Sequence, residues 1–485
     1  MTIAYSPELV LAKSRNLRSI VIVGGGASGV LLAAHLLRGR SGDVRVTIIE
    51  KQPVLGRGLA YSTTVPQHVL NVRASNMSAF ADDPAHFTRW LRQRGVDVDD
   101  PETYFAPRQV YGDYLGELLG PHVESGRLRV IDEECVDVID QGSFVEARLG
   151  NGASEVGDVC VLATGHETGR CTTDSLLTRA DDSHCYPKKT TDSVLIAGTG
   201  LSMIDTCLAL IFRGHSGPIF AVSRRGLLPE VHARTTPVVL SRAEIPLGED
   251  LVSLLRWFRK LLQKTEARGG NWRDVVDGMR PHTQAVWMHL PEPSRRQFFR
   301  HLKPWWDVHR HRMAPQVHAT ISDAIARGQL RPIAARILES APTSNGAAIR
   351  LRRRGHDIAE TLEVVRVYDC KGVVPNLEKS SGPLIGALLR SEMARIDGLH
   401  IGLDVSAEGA LLDRDGKPGD RLFAVGPLTR GAFLEIEAVP DIRVQCRDLA
   451  QALLNAVGSD KPVLPTPLAS SGGKFGNAVP DNGGI

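Results

Sequence analysis

The chain has 485 residues, with 58 Lys and Arg against 55 Asp and Glu, a formal charge of +3. That balance disfavours a dedicated nucleic-acid binder, and no apolar run approaches the roughly 20 residues that span a bilayer. The seven cysteines are scattered without a CxxC pair, which disfavours a disulfide framework or a zinc site and fits a reducing, cytoplasmic setting.

The length suits roughly two or three domains. Residues 1–18 carry charges without a separate hydrophobic segment, so they read as an N-terminal extension and not a signal peptide. The first clear element is the apolar run Ile20-Val21-Ile22-Val23, expected to be a buried parallel strand. It enters Gly24-Gly25-Gly26-Ala27-Ser28-Gly29, followed by apolar residues at helical spacing and a second strand, Val44–Ile49, that ends on Glu50. Gly24 permits a tight turn, Gly26 lets a pyrophosphate approach the backbone, and Gly29 lets the helix pack against the strand. The helix start, Ala27 and Ser28, offers free N–H groups to phosphate, and Glu50 stands where a carboxylate accepts ribose hydroxyls. These residues form a dinucleotide site.

Arg57 follows in Gly56-Arg57-Gly58, where a cation can meet a phosphate; a solvated loop arginine is the alternative. The irregular stretch His68–Met77 supplies Asn71 and Arg73 as candidate contacts to cofactor or substrate, with a purely structural loop as the alternative. Helices are expected over Pro84–Arg94 and Val110–Leu119, and strands over Leu128–Ile131, Cys135–Ile139 and Phe144–Leu149. The strand Val159–Leu162 ends in Ala163-Thr164-Gly165-His166.

A second strand–glycine–helix unit begins at Ser193. Its turn is Gly198-Thr199-Gly200-Leu201-Ser202-Met203, with Gly198, Gly200 and Ser202 as the phosphate-facing positions. Met203 in place of the third glycine makes the helix stand further from the strand. The next strand ends in Ser223-Arg224-Arg225 instead of an acid. Arginine pairs with the 2′-phosphate of NADP, so Arg224 and Arg225 favour NADPH over NADH; a solvated strand end is the alternative. One acidic and one basic unit together imply an FAD flavoprotein reduced by NADPH.

From about 249 to 326 the pattern changes to short helical pieces broken by Pro281, Pro291 and Pro293, ending in the aromatic and basic run Trp305–Pro315. This reads as a helical insertion that either packs or walls the site. His309 and His311 are spaced to face opposite sides of a helix, so no metal is expected. Strands are expected over Leu330–Ala334, Ala347–Arg353 and Leu362–Tyr368, after which Asp369-Cys370-Lys371-Gly372 returns the chain to the first domain. The strand Arg421–Val425 ends at Gly426, and a helix over Asp441–Val457 closes the domain.

The order of motifs resembles the FAD/NAD(P)-binding flavoproteins with two dinucleotide-binding domains. The residues that carry the resemblance are Gly24–Gly29 with Glu50, Gly56–Tyr61, His68–Met77, Gly198–Ser202 with Ser223-Arg224-Arg225, and Trp305–Pro315. It covers nearly the whole chain except the tail. The resemblance implies an α/β fold with two Rossmann-like domains, a first part at 19–170, an NAD(P) domain at 190–355 including the insertion and a return segment at 356–465, while a composition rich in Gly, Asn, Ser and Pro makes 466–485 read as a disordered tail. It also implies that Thr164, Gly165 and Gly426 approach the FAD. Pro427 stands where many relatives carry an Asp, which removes one expected side-chain contact. The wider group includes class B-like monooxygenases and N-hydroxylases, and an FAD-dependent urate hydroxylase looks like one relative. An NADPH-dependent monooxygenase of a small polar molecule is therefore expected. A reductase serving a partner protein and a non-catalytic sensor are the alternatives, and homo-oligomerisation is left open. No cysteine lies between Glu50 and Cys135, which disfavours the CxxxxC relay of disulfide reductases. The FxGxxxHxxxWP fingerprint of Baeyer–Villiger enzymes is absent as well. His68 and His166 are the weak candidates for a catalytic acid or base, and no catalytic residue is assigned.

Overall fold

In the computed structural model, which describes residues 18–38, 44–166, 177–179, 186–372, 377 and 382–456, the first apolar run forms β1 (Arg18–Val23). Parallel pairing adds β2 (Val44–Glu50) and then β3 (Leu128–Asp132) on one side. An antiparallel meander, β4 (Cys135–Asp140), β5 (Val145–Leu149) and β6 (Ser154–Gly157), leads back to β7 (Val159–Leu162), which pairs with the other side of β1.

The second sheet repeats this plan. β8 (Leu177–Arg179) lies at its edge, and β9 (Val194–Ala197) is parallel to β10 (Ile219–Ser223), which is parallel to β11 (Leu330–Thr343). β12 (Gly346–Arg353) and β13 (Ala359–Val364) fold back antiparallel, and β14 (Arg366–Asp369) inserts between β9 and β8. The chain then returns to the first sheet through β15 (Ala410–Leu412) and β16 (Pro418–Ala424), giving the order β15-β16-β7-β1-β2-β3. The second sheet has the order β13-β12-β11-β10-β9-β14-β8.

Three expectations change. The strand read over Leu362–Tyr368 is two strands, because β13 pairs with β12 in a hairpin at one edge of the sheet and β14 pairs with β9 and β8 in the parallel ladder. The boundary expected at 355/356 moves, since residues 359–369 pair within the second sheet. The insertion also loses its last helix. Pro315–Ala326 buries Val317, Ile321 and Ala324 in the core of the second unit as the crossover between β10 and β11. The N-terminal extension, except Arg18, and the tail expected to be disordered lie outside the described residues.

Helix Ala27–Leu37 is apolar on nearly all sides because it is enclosed. It sits under the first sheet among Ile20, Ile22, Val46 and Ile48, and helix Val439–Ala456 contributes Cys446, Leu449 and Leu453 to the same core. The other face of the sheet is covered by the meander and by helix Pro383–Arg390. Among the described residues no helix is long and apolar enough to cross a membrane.

Candidate functional site

In each sheet the strand order reverses beside the first strand, between β1 and β7 and between β9 and β14. Such switch points are where open α/β sheets bind ligands, at the carboxyl ends of the strands. Both glycine turns lie there and share one wiring. Gly24 N–H donates to the Ile49 carbonyl at 2.8 Å, and Gly198 N–H donates to the Val222 carbonyl at 2.8 Å. Gly24 has φ +106° and Gly198 φ +121°. A Cβ on Gly24 would lie 2.5 Å from the Ala163 carbonyl oxygen, and one on Gly198 would lie 2.1 Å from that of Cys370. Only glycine satisfies both the backbone angle and the close approach.

The units then diverge as their sequences do. A Cβ on Gly29 would sit 1.9 Å from the Gly24 carbonyl oxygen, so the first helix presses onto its turn. The matching residue in the second unit, Met203, is fully buried, which requires more room between helix and turn. Glu50 closes the first turn: its carboxylate accepts the Gly25 N–H at 2.6 Å and the Gln52 N–H at 2.8 Å. The corresponding Ser223 accepts the Thr199 hydroxyl at 2.9 Å and the Gly226 N–H at 2.9 Å. Arg224 is exposed and Arg225 half-buried, and among the described residues neither makes an ion pair or hydrogen bond. Both cations are available to an anion at the end of β10.

The first turn has a lid of backbone. Gly56 N–H donates to the Gly25 carbonyl at 2.8 Å, and Gly58, with φ +45°, faces Gly26. A Cβ on Gly26 would meet only the Gly58 Cα, at 3.6 Å. The two glycine backbones thus pack against each other beside the N-terminus of helix Ala27–Leu37. Ser28 lies within that first turn of helix, and a Cβ on Gly426 would lie 2.3 Å from its hydroxyl. Gly426, at φ +72°, donates its N–H to Gln445 Oε1 at 2.8 Å. At the end of β7, Thr164 Oγ1 and His166 Nδ1 are buried without a hydrogen-bond partner, and nothing lies within 4 Å of a Cβ on Gly165. Open space beside glycine and orphaned polar atoms at a switch point fit an extended dinucleotide. In the second unit a Cβ on Gly200 would meet nothing within 4 Å, and Ser202 begins the helix beyond it.

The remaining candidates are engaged by protein. Arg57 pairs with Asp113 at 2.6 Å, although its Nε is buried without a partner. Asn71 and Arg73 lie at the junction of the two units: the Asn71 carbonyl bonds His232 Nε2 at 3.0 Å, and Arg73 donates to the Ala233 carbonyl. His68 bridges Thr63 and the Asp205 carbonyl, at 2.7 and 2.9 Å, and burial lowers its pKa. Its two ring-nitrogen contacts make it a strut between the units. Arg108 forks onto the Asp205 carboxylate at 2.9 and 3.1 Å. Sequence reasoning missed this pair and also missed Phe105, whose ring belongs to the core of the second unit beside Ile196 and Met203.

Two sheets, two switch points and two matched glycine turns define the fold of the flavoenzymes with two dinucleotide-binding domains. Comparison with known proteins agrees. A family described as FAD-NAD(P)-binding matches residues 21–167. No curated protein matches the sequence. The ornithine hydroxylase of Pseudomonas aeruginosa, in its reduced form, is similar with a TM-score of 0.64 at 16% identity, covering 90% of this chain and 99% of that one. The ornithine N-hydroxylase of Kutzneria sp. 744 gives 0.63 at 13%, covering 91% and 99%. The cadaverine monooxygenase of Erwinia amylovora, solved with FAD, gives 0.61 at 13%, covering 97% and 100%.

Proposed function

We propose that this chain is an FAD-dependent monooxygenase that uses NADPH and acts on a small polar amine. The observation that carries this reading is the pair of alike glycine turns with opposite endings, Glu50 in one and the unpaired Arg224 and Arg225 in the other. Gly24, Gly26, Ala27, Ser28, Gly29 and Glu50 would hold the FAD, with Thr164, Gly165 and Gly426 along its length. Gly198, Gly200 and Ser202 would hold the NADPH pyrophosphate, and the two arginines its 2′-phosphate. Bound FAD, once reduced by NADPH, supplies the oxygen-activating chemistry. The protein would orient the two nucleotides and keep water from the reacting centre. The amine class comes from the ornithine, lysine and cadaverine enzymes that share the fold. A dithiol relay is disfavoured, since the described cysteines Cys135, Cys160, Cys207, Cys370 and Cys446 are all free and buried.

The test is the absorption spectrum of the purified protein before and after anaerobic NADPH. Bound flavin that bleaches with NADPH and recovers in air supports the proposal. The absence of flavin after reconstitution with FAD removes it. Flavin that cycles without ever yielding an oxygenated amine leaves a reductase.

A further inference from the structure

The two arginines at the end of β10 have neighbours of the same charge on the next strands. β10 stops at Ser223, whose parallel partner is Ala334, but β11 runs on to Thr343 and folds back as β12. The antiparallel register sets Arg336 opposite Arg352, and the Arg354 N–H donates to the Ala334 carbonyl at 2.8 Å. Ser223, Ala334 and Arg354 therefore form one row across three neighbouring strands, and Arg336 and Arg352 form the next row, beyond the end of β10. Side chains alternate along a strand, so Ala334 and Arg336 share a face with Arg352 and Arg354. Ile333, Ala335 and Leu351 take the other face, packed in the core.

The turn after β10 folds onto the arginine face. A Cβ on Gly226 would lie 3.1 Å from the Ala334 Cβ, and the Gly226 N–H donates to the Ser223 hydroxyl at 2.9 Å. The same hydroxyl accepts that of Thr199 in the second glycine turn, so the face continues outward from that turn. By strand spacing and rise, the backbones of Arg336, Arg352 and Arg354 stand within roughly 12 Å of Ser223, a span that arginine side chains close from both sides.

Arg224, Arg336, Arg352 and Arg354 are exposed and Arg225 is half-buried, and among the described residues the side chains of these five make no ion pair or hydrogen bond. Other hairpin arginines do have partners: Arg353, on the opposite face, pairs with Glu360 at 2.6 Å, and Arg350 lies 3.9 Å from Glu339. Like charges directly opposite one another weaken a sheet. The Arg336–Arg352 couple therefore works against the hairpin until an anion comes between the guanidinium groups.

We propose that Arg336, Arg352 and Arg354 are further specificity residues for NADPH: the hairpin forms the outer wall of the site for its adenosine end and holds the 2′-phosphate against the turn after β10. This rests on the reading of Arg224 and Arg225 as contacts to the 2′-phosphate and extends it to a second element. A phosphate monoester offers about two negative charges and three strong acceptor oxygens, and arginine forks meet them from both sides. NADH brings no anion to this end and leaves five like charges unrelieved. Discrimination then comes from repulsion within the cluster as well as from attraction to the phosphate.

The experiment is calorimetric titration of the flavin-loaded protein with NADP, NAD, 2′,5′-ADP and 5′-ADP, with the melting temperature measured beside it. Expected for Arg336→Gln with Arg352→Gln is a loss of about tenfold in affinity for NADP and 2′,5′-ADP, the loss of one charge-assisted contact, with NAD and 5′-ADP bound as before. The melting temperature without nucleotide should hold or rise, because the opposed charges are gone; side chains with a merely structural role would lower it. Arg336→Lys with Arg352→Lys keeps the charge and loses the fork, and should fall between the wild type and the first variant. Undiminished affinity for NADP in the glutamine variant, or an equal loss for NADP and NAD, overturns the assignment. Failure of the broader reading is separate: it appears in the wild type, as flavin that NADPH does not reduce, while the preference for 2′,5′-ADP over 5′-ADP still tests the hairpin.

Discussion

Gly200→Ala separates folding from nucleotide binding. Gly200 has φ −85° and ψ −166°, extended backbone that alanine adopts without strain. A Cβ there meets nothing within 4 Å, so the fold has room for the methyl group. That open space is also where a pyrophosphate must come to reach the first N–H groups of helix Leu201–Phe212. Hydrogen bonds to a charged group are worth about 1.5–3 kcal/mol each. Losing two of them weakens NADPH binding by about 3 kcal/mol at the least, or roughly 100-fold. The assay is an anaerobic NADPH titration followed by flavin bleaching, with the melting temperature measured beside it. The expected result is an unchanged melting temperature and FAD content with NADPH affinity reduced about 100-fold. NADPH affinity equal to that of the wild type would show that the phosphates do not lie on this turn, and the reasoning would fail.

Gly29→Ala is expected to act on the fold instead, because its Cβ meets the Gly24 carbonyl oxygen at 1.9 Å and the helix must shift; a loss of about 3 kcal/mol, read from the urea midpoint, is the expectation. Arg224→Gln with Arg225→Gln should lower the preference for NADPH over NADH by at least about tenfold, through loss of a charge-assisted pair worth about 1.5–3 kcal/mol, while leaving NADH use intact; steady-state kinetics with both nucleotides check this. Stability should also fall in mild acid. Burial pushes His35 and His232 from 6.5 down to about 4. Above pH 6.5 both are neutral whether folded or unfolded. As the pH drops from there towards 4 the unfolded chain takes up protons that the folded chain refuses, so each histidine lowers stability by up to about 3 kcal/mol. Urea midpoints between pH 7.5 and pH 4.5 test the sign, and His232→Gln should flatten the slope.

The parts of the site that were legible in the sequence are those made by neighbours in the chain. The glycine turns, Glu50 and the Arg224-Arg225 ending each lie within one strand–turn–helix–strand unit, and at Gly24 and Gly198 the backbone angle and the need for close approach select the residue. The junction is different. Arg108 and Asp205 are separated by 97 positions, and Arg310 and Glu435 by 125. Pairings of that kind leave no periodic trace, and each residue alone reads as an ordinary surface charge. The same limit explains the strands. Leu362–Tyr368 looks like one apolar stretch, and only its two partners, β12 and β9, divide it at Val365. His68 shows the converse: a polar loop histidine invited a catalytic role, and its two hydrogen bonds place it as a strut.

Phe105 has a bearing on how the molecule comes apart. Its ring fills the hydrophobic interior of the second unit together with Val194, Ile196 and Met203, although the residue belongs to the chain of the first. A fragment containing only the second sheet would therefore lack a piece of its own interior. Heat or denaturant should then melt both halves in a single cooperative transition, and neither nucleotide platform would persist as a free-standing module.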